Sequence, residues 1–419
     1  MNKLQKELEK TLGQFFKPEN IGAEFIDKKL KKIGIVLTKE QLSKIGRQFS
    51  NLQSNSIFFE LEDEQLVNAG IKDQNEFQQI VNREFSDLVP SLKKFFKKSM
   101  KKIPSLIDGM SKKISKSTLK TLKGNAPEML NWRDFEKGQF EANLYYTYRK
   151  AFDLLEMFLV ISLEAGESIN NLERGNAFKN KDFVFEVLTR LQARACQIAS
   201  EILVLLKSGY ADGAHARWRT LHEISVVGLF IGNNDNDLAE RYLLYDHIEC
   251  HKAAKIYQEH YNYLGYEPLS DEEIRRSEEI RSGLIHKYGE AYEKDYGWAS
   301  HVLKKKKISF KDIEKAIGLD YLRPFYKMAC HNIHANPRGI FFKLGLYPET
   351  DMLLAGPSNI GLADPGQATA LSLMHITLSL LNHQPNLDRL VTCQILIELE
   401  KQIGNAFFKA ECALKEKSF

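Results

Sequence analysis

The chain is predicted to be all-α, and three observations carry that prediction. Nearly every ordered segment places its apolar residues at i, i+3, i+4 and i+7, the spacing of one helix face. Helix start and stop signals recur between those segments. Alternating apolar and polar runs joined by hairpin dipeptides are nearly absent.

The elements can be justified in order. In "YYTYRKAFDLLEMFLVISLEAG", Ala151, Leu154, Leu155, Phe158, Leu159 and Ser162 form one stripe, so this segment is a helix with a buried face. "VFEVLTRLQARACQIASEILVLLKSGY" repeats the pattern and stops at Gly209, a natural C-terminal cap. "GAHARWRTLHEISVVGLFI", residues 213–231, begins polar and ends apolar nearly all round, so its second half is predicted buried. Ser270 and Glu273 in "LSDEEI" make a capping box that opens another helix. Asp364-Pro365-Gly366-Gln367 reads as an Asp cap followed by a first-turn proline. The last segment, Leu387 to about Lys415, reads as one long amphipathic helix.

At 419 residues the chain is long enough for more than one domain. "KGNAPE", residues 123–128, is expected to mark the boundary, because Gly, Asn and Pro punctuate the pattern there. The division is residues 1–125, a basic helical module, and 126–419, a helical bundle. Charge divides similarly. Residues 1–130 carry 24 Lys and Arg against 16 Asp and Glu, a balance of +8. The remainder carries 35 against 39, a balance of −4. A basic first third suits contact with a polyanion such as RNA. Its densest part is residues 91–123, with eleven lysines against the single Asp108. Lys93, Lys94, Lys97, Lys98, Lys101 and Lys102 interleave there with Phe95, Phe96, Met100 and Ile103. That stretch fits an amphipathic helix facing nucleic acid or an anionic membrane, or a solvated lysine face on a helix that packs through its aromatics.

No apolar run reaches the roughly 18 residues of a membrane span. "MNKLQKELEK" lacks a signal-peptide core, and five cysteines without a C-x-x-C pair read as reduced thiols, so a cytoplasmic protein is expected.

All eleven histidines lie between His215 and His383, which assigns any histidine chemistry to the later domain. On a helical wheel His215, Arg219, His222 and Val226 fall within roughly 60°, with Glu223 beside them. One reading is a buried Arg219–Glu223 ion pair that pins helix packing. The other is a polar pocket in which Arg219 holds an anion and His222 moves a proton. A second polar segment, "RPFYKMACHNIHANPRG", places Tyr326, Lys327, His331, Asn332 and His334 at a helix end, an inventory that suits a phosphate group. His247, Cys250 and His251 share a face and could form half of a zinc site; no second ligand pair of matching spacing follows, although His331 and His334 could complete one, and neither metal nor cofactor is expected. "GPSNIG", residues 356–361, lacks the Lys-Ser/Thr of a phosphate loop and is expected to be a plain turn.

The strings "RWRTLHE", "YGWA" and "HANPRG" resemble the uncharacterised bacterial domain-of-unknown-function family five-six-seven-seven, over roughly residues 130–385. A more distant likeness is to the HEPN superfamily of helical bundles, through Arg219-x-x-x-Glu223 and a later helix with Asn332 and His334. That likeness implies a metal-independent ribonuclease of a toxin or phage-defence system. It would act as an oligomer or with other components of that system. The superfamily's Arg-to-His spacing recurs at Arg217/His222, Arg241/His247 and Arg281/His286, and the arginine expected in the later helix is missing. In such an enzyme His222 or His334 serves as base, and Arg219 or Arg217 clamps the phosphorane charge. Glu223 belongs to the same catalytic set. The alternative is a non-catalytic sensor or binding module for a nucleotide or other anion.

Overall fold

The computed structural model describes residues 2–50, 57–334, 337–347 and 352–418. Helices dominate it, and no strand occurs among the described residues. Contacts within the chain divide it into two compact units, Met1–Leu130 and Asn131–Phe419.

The first unit begins with α1 (Asn2–Phe15), α2 (Pro18–Lys31) and α3 (Lys39–Ser50). The short α4 (Asp63–Asn68), α5 (Gln74–Glu84) and α6 (Leu88–Met100) follow. Its core joins Phe25, Ile26 and Leu30 of α2 to Ile45 and Phe49 of α3 and Phe77 of α5. Pro18 opens α2 in its first turn, where a missing N–H has no intrahelical role. Asp73 caps α5 by accepting from the Glu76 N–H at 2.8 Å. Phe95 of α6 turns inward onto Phe25, with ring centroids 5.4 Å apart, while its lysine neighbours stay exposed.

The long helix α7 (Ile103–Asn180) contains the point at which the two units divide. Gly124, Asn125 and Pro127, expected to interrupt the pattern, lie inside it. A proline there removes one backbone hydrogen bond. The side chains around it are exposed, so no packed neighbour turns that local loss into a break.

The second unit is built on α8 (Phe183–Lys207) and α9 (Ala211–Gly232), followed by α10 (Asn236–Leu244), α11 (Asp246–Leu264) and α12 (Asp271–Tyr288). Short α13 (Ser300–Leu303), α14 (Phe310–Ala316), α15 (Arg323–Ile333) and α16 (Pro337–Phe341) lead to α17 (Ala363–His383) and α18 (Leu387–Ser418). Helix α9 is central, packing against α8, α17 and α15. Ala211, Ala214, Trp218, Leu221 and Ser225, which share one face of α9, are all buried. The Trp218 indole N–H donates to the Ala368 carbonyl and the Ser372 hydroxyl, both at 2.9 Å, tying α9 to α17. Gly228 lets the same two helices approach closely, since a Cβ there would meet Ile376 Cδ1 at 2.1 Å.

Two start and stop signals behave as read. Ser270 and Glu273 form the capping box of α12, and α8 ends at Lys207 with Gly209 in the left-handed region at φ +77°. The third differs. Helix α17 starts at Ala363, with Asp364 inside its first turn rather than capping it. The Ala363 N–H is satisfied instead by Glu411 of α18 at 3.1 Å, so a distant carboxylate does the work assigned to Asp364.

Candidate functional site

The polar face of α9 meets α14 and α15, and the meeting point is built around Tyr326. Its hydroxyl donates to Glu223 Oε1 at 2.5 Å and accepts from Arg219 Nε at 3.2 Å. Arg219 and Glu223, one helical turn apart, close the triangle with an ion pair of 3.2 Å. The Arg219 guanidinium lies 5.2 Å from the Tyr326 ring centroid, and that of Arg323 lies 5.1 Å from it. Arg219 and Arg323 keep 24% of their side-chain surface, and Glu223 keeps 32%. This cluster therefore reaches solvent.

Behind it the polar contacts continue inward. Arg323 pairs with Glu314 of α14, whose other oxygen lies 3.0 Å from His222 Nε2. Both Glu314 and His222 are fully buried. A buried carboxylate is tolerated because a guanidinium and an imidazole supply the donors that water would have supplied. Phe310, Tyr326 and Trp218 surround the His222 ring with centroids 5.9, 5.8 and 5.2 Å away. Burial and the Glu223 carboxylate both push the Tyr326 hydroxyl above its usual range, so it stays a protonated donor.

A further imidazole lies against Trp218. His215 stacks on its indole at 5.4 Å and is fully buried. Neither His215 ring nitrogen has a hydrogen-bond partner, and burial pushes its imidazole down to about 4. His375 of α17 is pushed to about 4 as well, chiefly by burial and further by the neighbouring His222. These histidines are neutral at ordinary pH.

Of the residues expected to form a site, Arg219, His222, Glu223 and Tyr326 come together. The others lie elsewhere. Arg217 pairs with Glu201 of α8. Lys327 is exposed, and His331 is half-buried. Asn332 has a buried amide nitrogen without a hydrogen-bond partner. His334 is the exposed C-cap of α15. It follows Tyr326 by eight residues, or about 12 Å along a helix axis. His222 was expected to act on a substrate, but as folded its ring touches only protein. The six lysines of α6 and its C-terminal end are exposed in the first unit. Ala335 and Asn336 of "HANPRG" lie outside the described residues.

Glu314 and Arg323 were not anticipated. Their signal was faint: Glu314 interrupts the stripe Phe310, Ile313, Ile317 of a short helix, an odd place for a carboxylate unless it is paired.

Two further groupings bear on metals. His251 bonds through Nδ1 to Ser277 at 3.0 Å, whereas Cys250 is exposed and bonds to Asp246 of its own helix, so the two do not converge. Asp235, Asp237 and His301 bring ligand atoms within 4.8 Å of one another. The Arg241 guanidinium already sits on Asp237 at 2.8 Å, which opposes a second cation there.

No curated protein and no solved structure matches the chain. Residues 185–348, a shorter stretch than the expected 130–385, match the model of the Family of unknown function (DUF5677), and every residue of the Arg219–Tyr326–Glu314 cluster lies inside that match.

Proposed function

We propose that the second unit is a non-catalytic binding or sensor module that takes a phosphate-bearing small molecule, of the nucleotide class, at Arg219 and Arg323. The observation that carries this reading is the pair of partly exposed guanidinium groups held against one tyrosine ring. Their described contacts engage Nε of Arg219 and one terminal nitrogen of Arg323. Each fork therefore has donors beyond those the protein uses, in the planar geometry that suits phosphate. The carboxylates behind them hold the guanidinium groups in place before a ligand arrives, which lowers the ordering cost of binding. Burial of His222 supports the non-catalytic form, because a general base must come within hydrogen-bond reach of its substrate.

The test is thermal unfolding with millimolar ATP, GTP and pyrophosphate. A ligand well above its dissociation constant adds about 2–3 kcal/mol, or several degrees in midpoint. That rise is expected for at least one of the three and is expected to vanish in Arg219→Ala. No shift with any of them overturns the reading.

One observation favours a second reading, an RNA-cleaving HEPN-like effector of a toxin or phage-defence system. His334 is exposed at the end of the helix that carries Asn332 and Tyr326. In that case His334 is the base, and RNA is degraded in the presence of chelator by the wild type but not by His334→Ala. Intact RNA with the wild-type protein excludes it.

A further inference from the structure

The segment 103–130 of α7 belongs to the first unit, and almost every side chain along it is exposed. That exposure has a pattern. At 100° per residue, Ile107, Met110, Ile114, Leu122 and Met129 fall on one side of the helix. Lys112, Lys113, Lys116, Lys120 and Lys123 fall on the other. Ile114, Leu122 and Met129 are 38%, 61% and 58% exposed, so the described residues of the first unit leave the apolar face uncovered. Lys112 and Lys113 form the two edges of the lysine side, with Lys116, Lys120 and Lys123 between them. The acidic residues of the segment are Asp108, paired with Lys112 at 2.7 Å, and Glu128, which falls at the edge of the apolar side. Just before it, α6 and its C-terminal end add the six exposed lysines from Lys93 to Lys102.

Three occupants can be weighed by charge and polarity. A second copy would cover the apolar side but would leave the lysine side without anions, since the segment offers only two carboxylates. Nucleic acid would neutralise the lysines and leave the Ile-Leu-Met face in water. An anionic lipid surface satisfies both faces at once. Apolar side chains sink into the boundary between headgroups and acyl chains, while the lysines of the other side stay in the headgroup layer, Lys112 and Lys113 at its edges reaching toward the phosphates.

We propose that residues 103–130, with the lysines of α6, dock the protein on anionic lipid membranes, the helix lying in the plane of the interface. At 1.5 Å per residue the docking segment is about 42 Å long. Among the described residues no helix is long and apolar enough to cross a membrane, so the contact is with the surface.

Co-sedimentation of the full chain with vesicles tests this, comparing phosphatidylcholine alone with a phosphatidylcholine–phosphatidylserine mixture. Partitioning onto the mixed vesicles is expected to exceed that onto neutral ones by roughly tenfold and to fall with added salt. The triple variant Ile107→Gln/Ile114→Gln/Leu122→Gln is expected to lose about tenfold in partitioning. So is Lys113→Gln/Lys116→Gln/Lys120→Gln. Glutamine keeps helix propensity, and all six positions are exposed, so far-UV dichroism should be unchanged. Failure to sediment with the mixed vesicles overturns the proposal, as does partitioning that ignores the apolar-face variant. It is equally overturned if sedimentation velocity shows a dimer that this variant dissociates, or if RNA binds and is lost with it.

Discussion

Glu314 has no exposed surface, yet it carries a carboxylate between an arginine and a histidine. Such a group is stable only while both donors reach it, since an uncompensated charge in the interior costs several kcal/mol. Tyr326 is held differently, by a hydroxyl shared between Arg219 and Glu223 near the surface. The two residues should therefore respond unequally to substitution. Glu314→Leu is expected to lose about 3–5 kcal/mol in urea unfolding. Tyr326→Phe should lose about 1–2 kcal/mol, the worth of a partly exposed hydrogen bond. Equal losses would show that the carboxylate does not organise this region. Neither partner of Glu314 is near it in sequence by helical spacing: His222 is 92 residues away and Arg323 nine. A helical wheel places a residue on a face but does not say which other helix that face will meet. That is why Arg219, His222 and Glu223 were legible as a group while Glu314 and Arg323 were not.

Among the elements, the turn at Gly297–Ala299 shows how closely backbone can pack in this fold. A Cβ on Gly297 would lie 2.2 Å from the Tyr292 carbonyl oxygen and 2.5 Å from that of Ala291. No side-chain rotation relieves a clash with backbone, so the turn itself would have to move. Gly283 in α12 has nothing within 4 Å of the corresponding position. Gly297→Ala is thus expected to destabilise by about 3 kcal/mol or more, and Gly283→Ala to stabilise by about 0.5–1 kcal/mol through helix propensity. Differential scanning calorimetry distinguishes them, and a stable Gly297→Ala protein would contradict the packing described. Local signals served well at this scale where the local chain decides the outcome, as in the Ser270–Glu273 box. They failed at Asp364, where Glu411 from another helix took over the cap; at Pro127 exposure let the helix continue, a few residues before the two units divide.

For the molecule as a whole, His215 and His375 couple folding to pH. His215 and His375 are held near 4 in the fold, against about 6.5 in the unfolded chain. Below pH 6.5 the unfolded state takes up protons that the folded state refuses. Stability is thus unaffected by these groups above pH 6.5 and declines as pH falls from 6.5 toward 4. The slope is about 1.4 kcal/mol per pH unit for each histidine. His215→Phe, which keeps a ring on Trp218, should remove one histidine's share of that slope. Identical slopes for variant and wild type between pH 6.5 and 4.5 would refute the assignment.

By itself the amino-acid sequence determined the all-helical class, the helix faces and the caps at Gly209 and Ser270, because each depends on residues within about two turns of one another. It also marked α9 as the helix where polar groups enter an apolar environment. Only the tertiary structure decided that His222 is sealed behind Tyr326 and Phe310. The same holds for Arg217, which turns away to Glu201, and for the two guanidinium groups that share one ring. Those outcomes rest on burial and on contacts between helices far apart along the chain. They are set by which faces dock to close the core, a choice that no single helix makes alone.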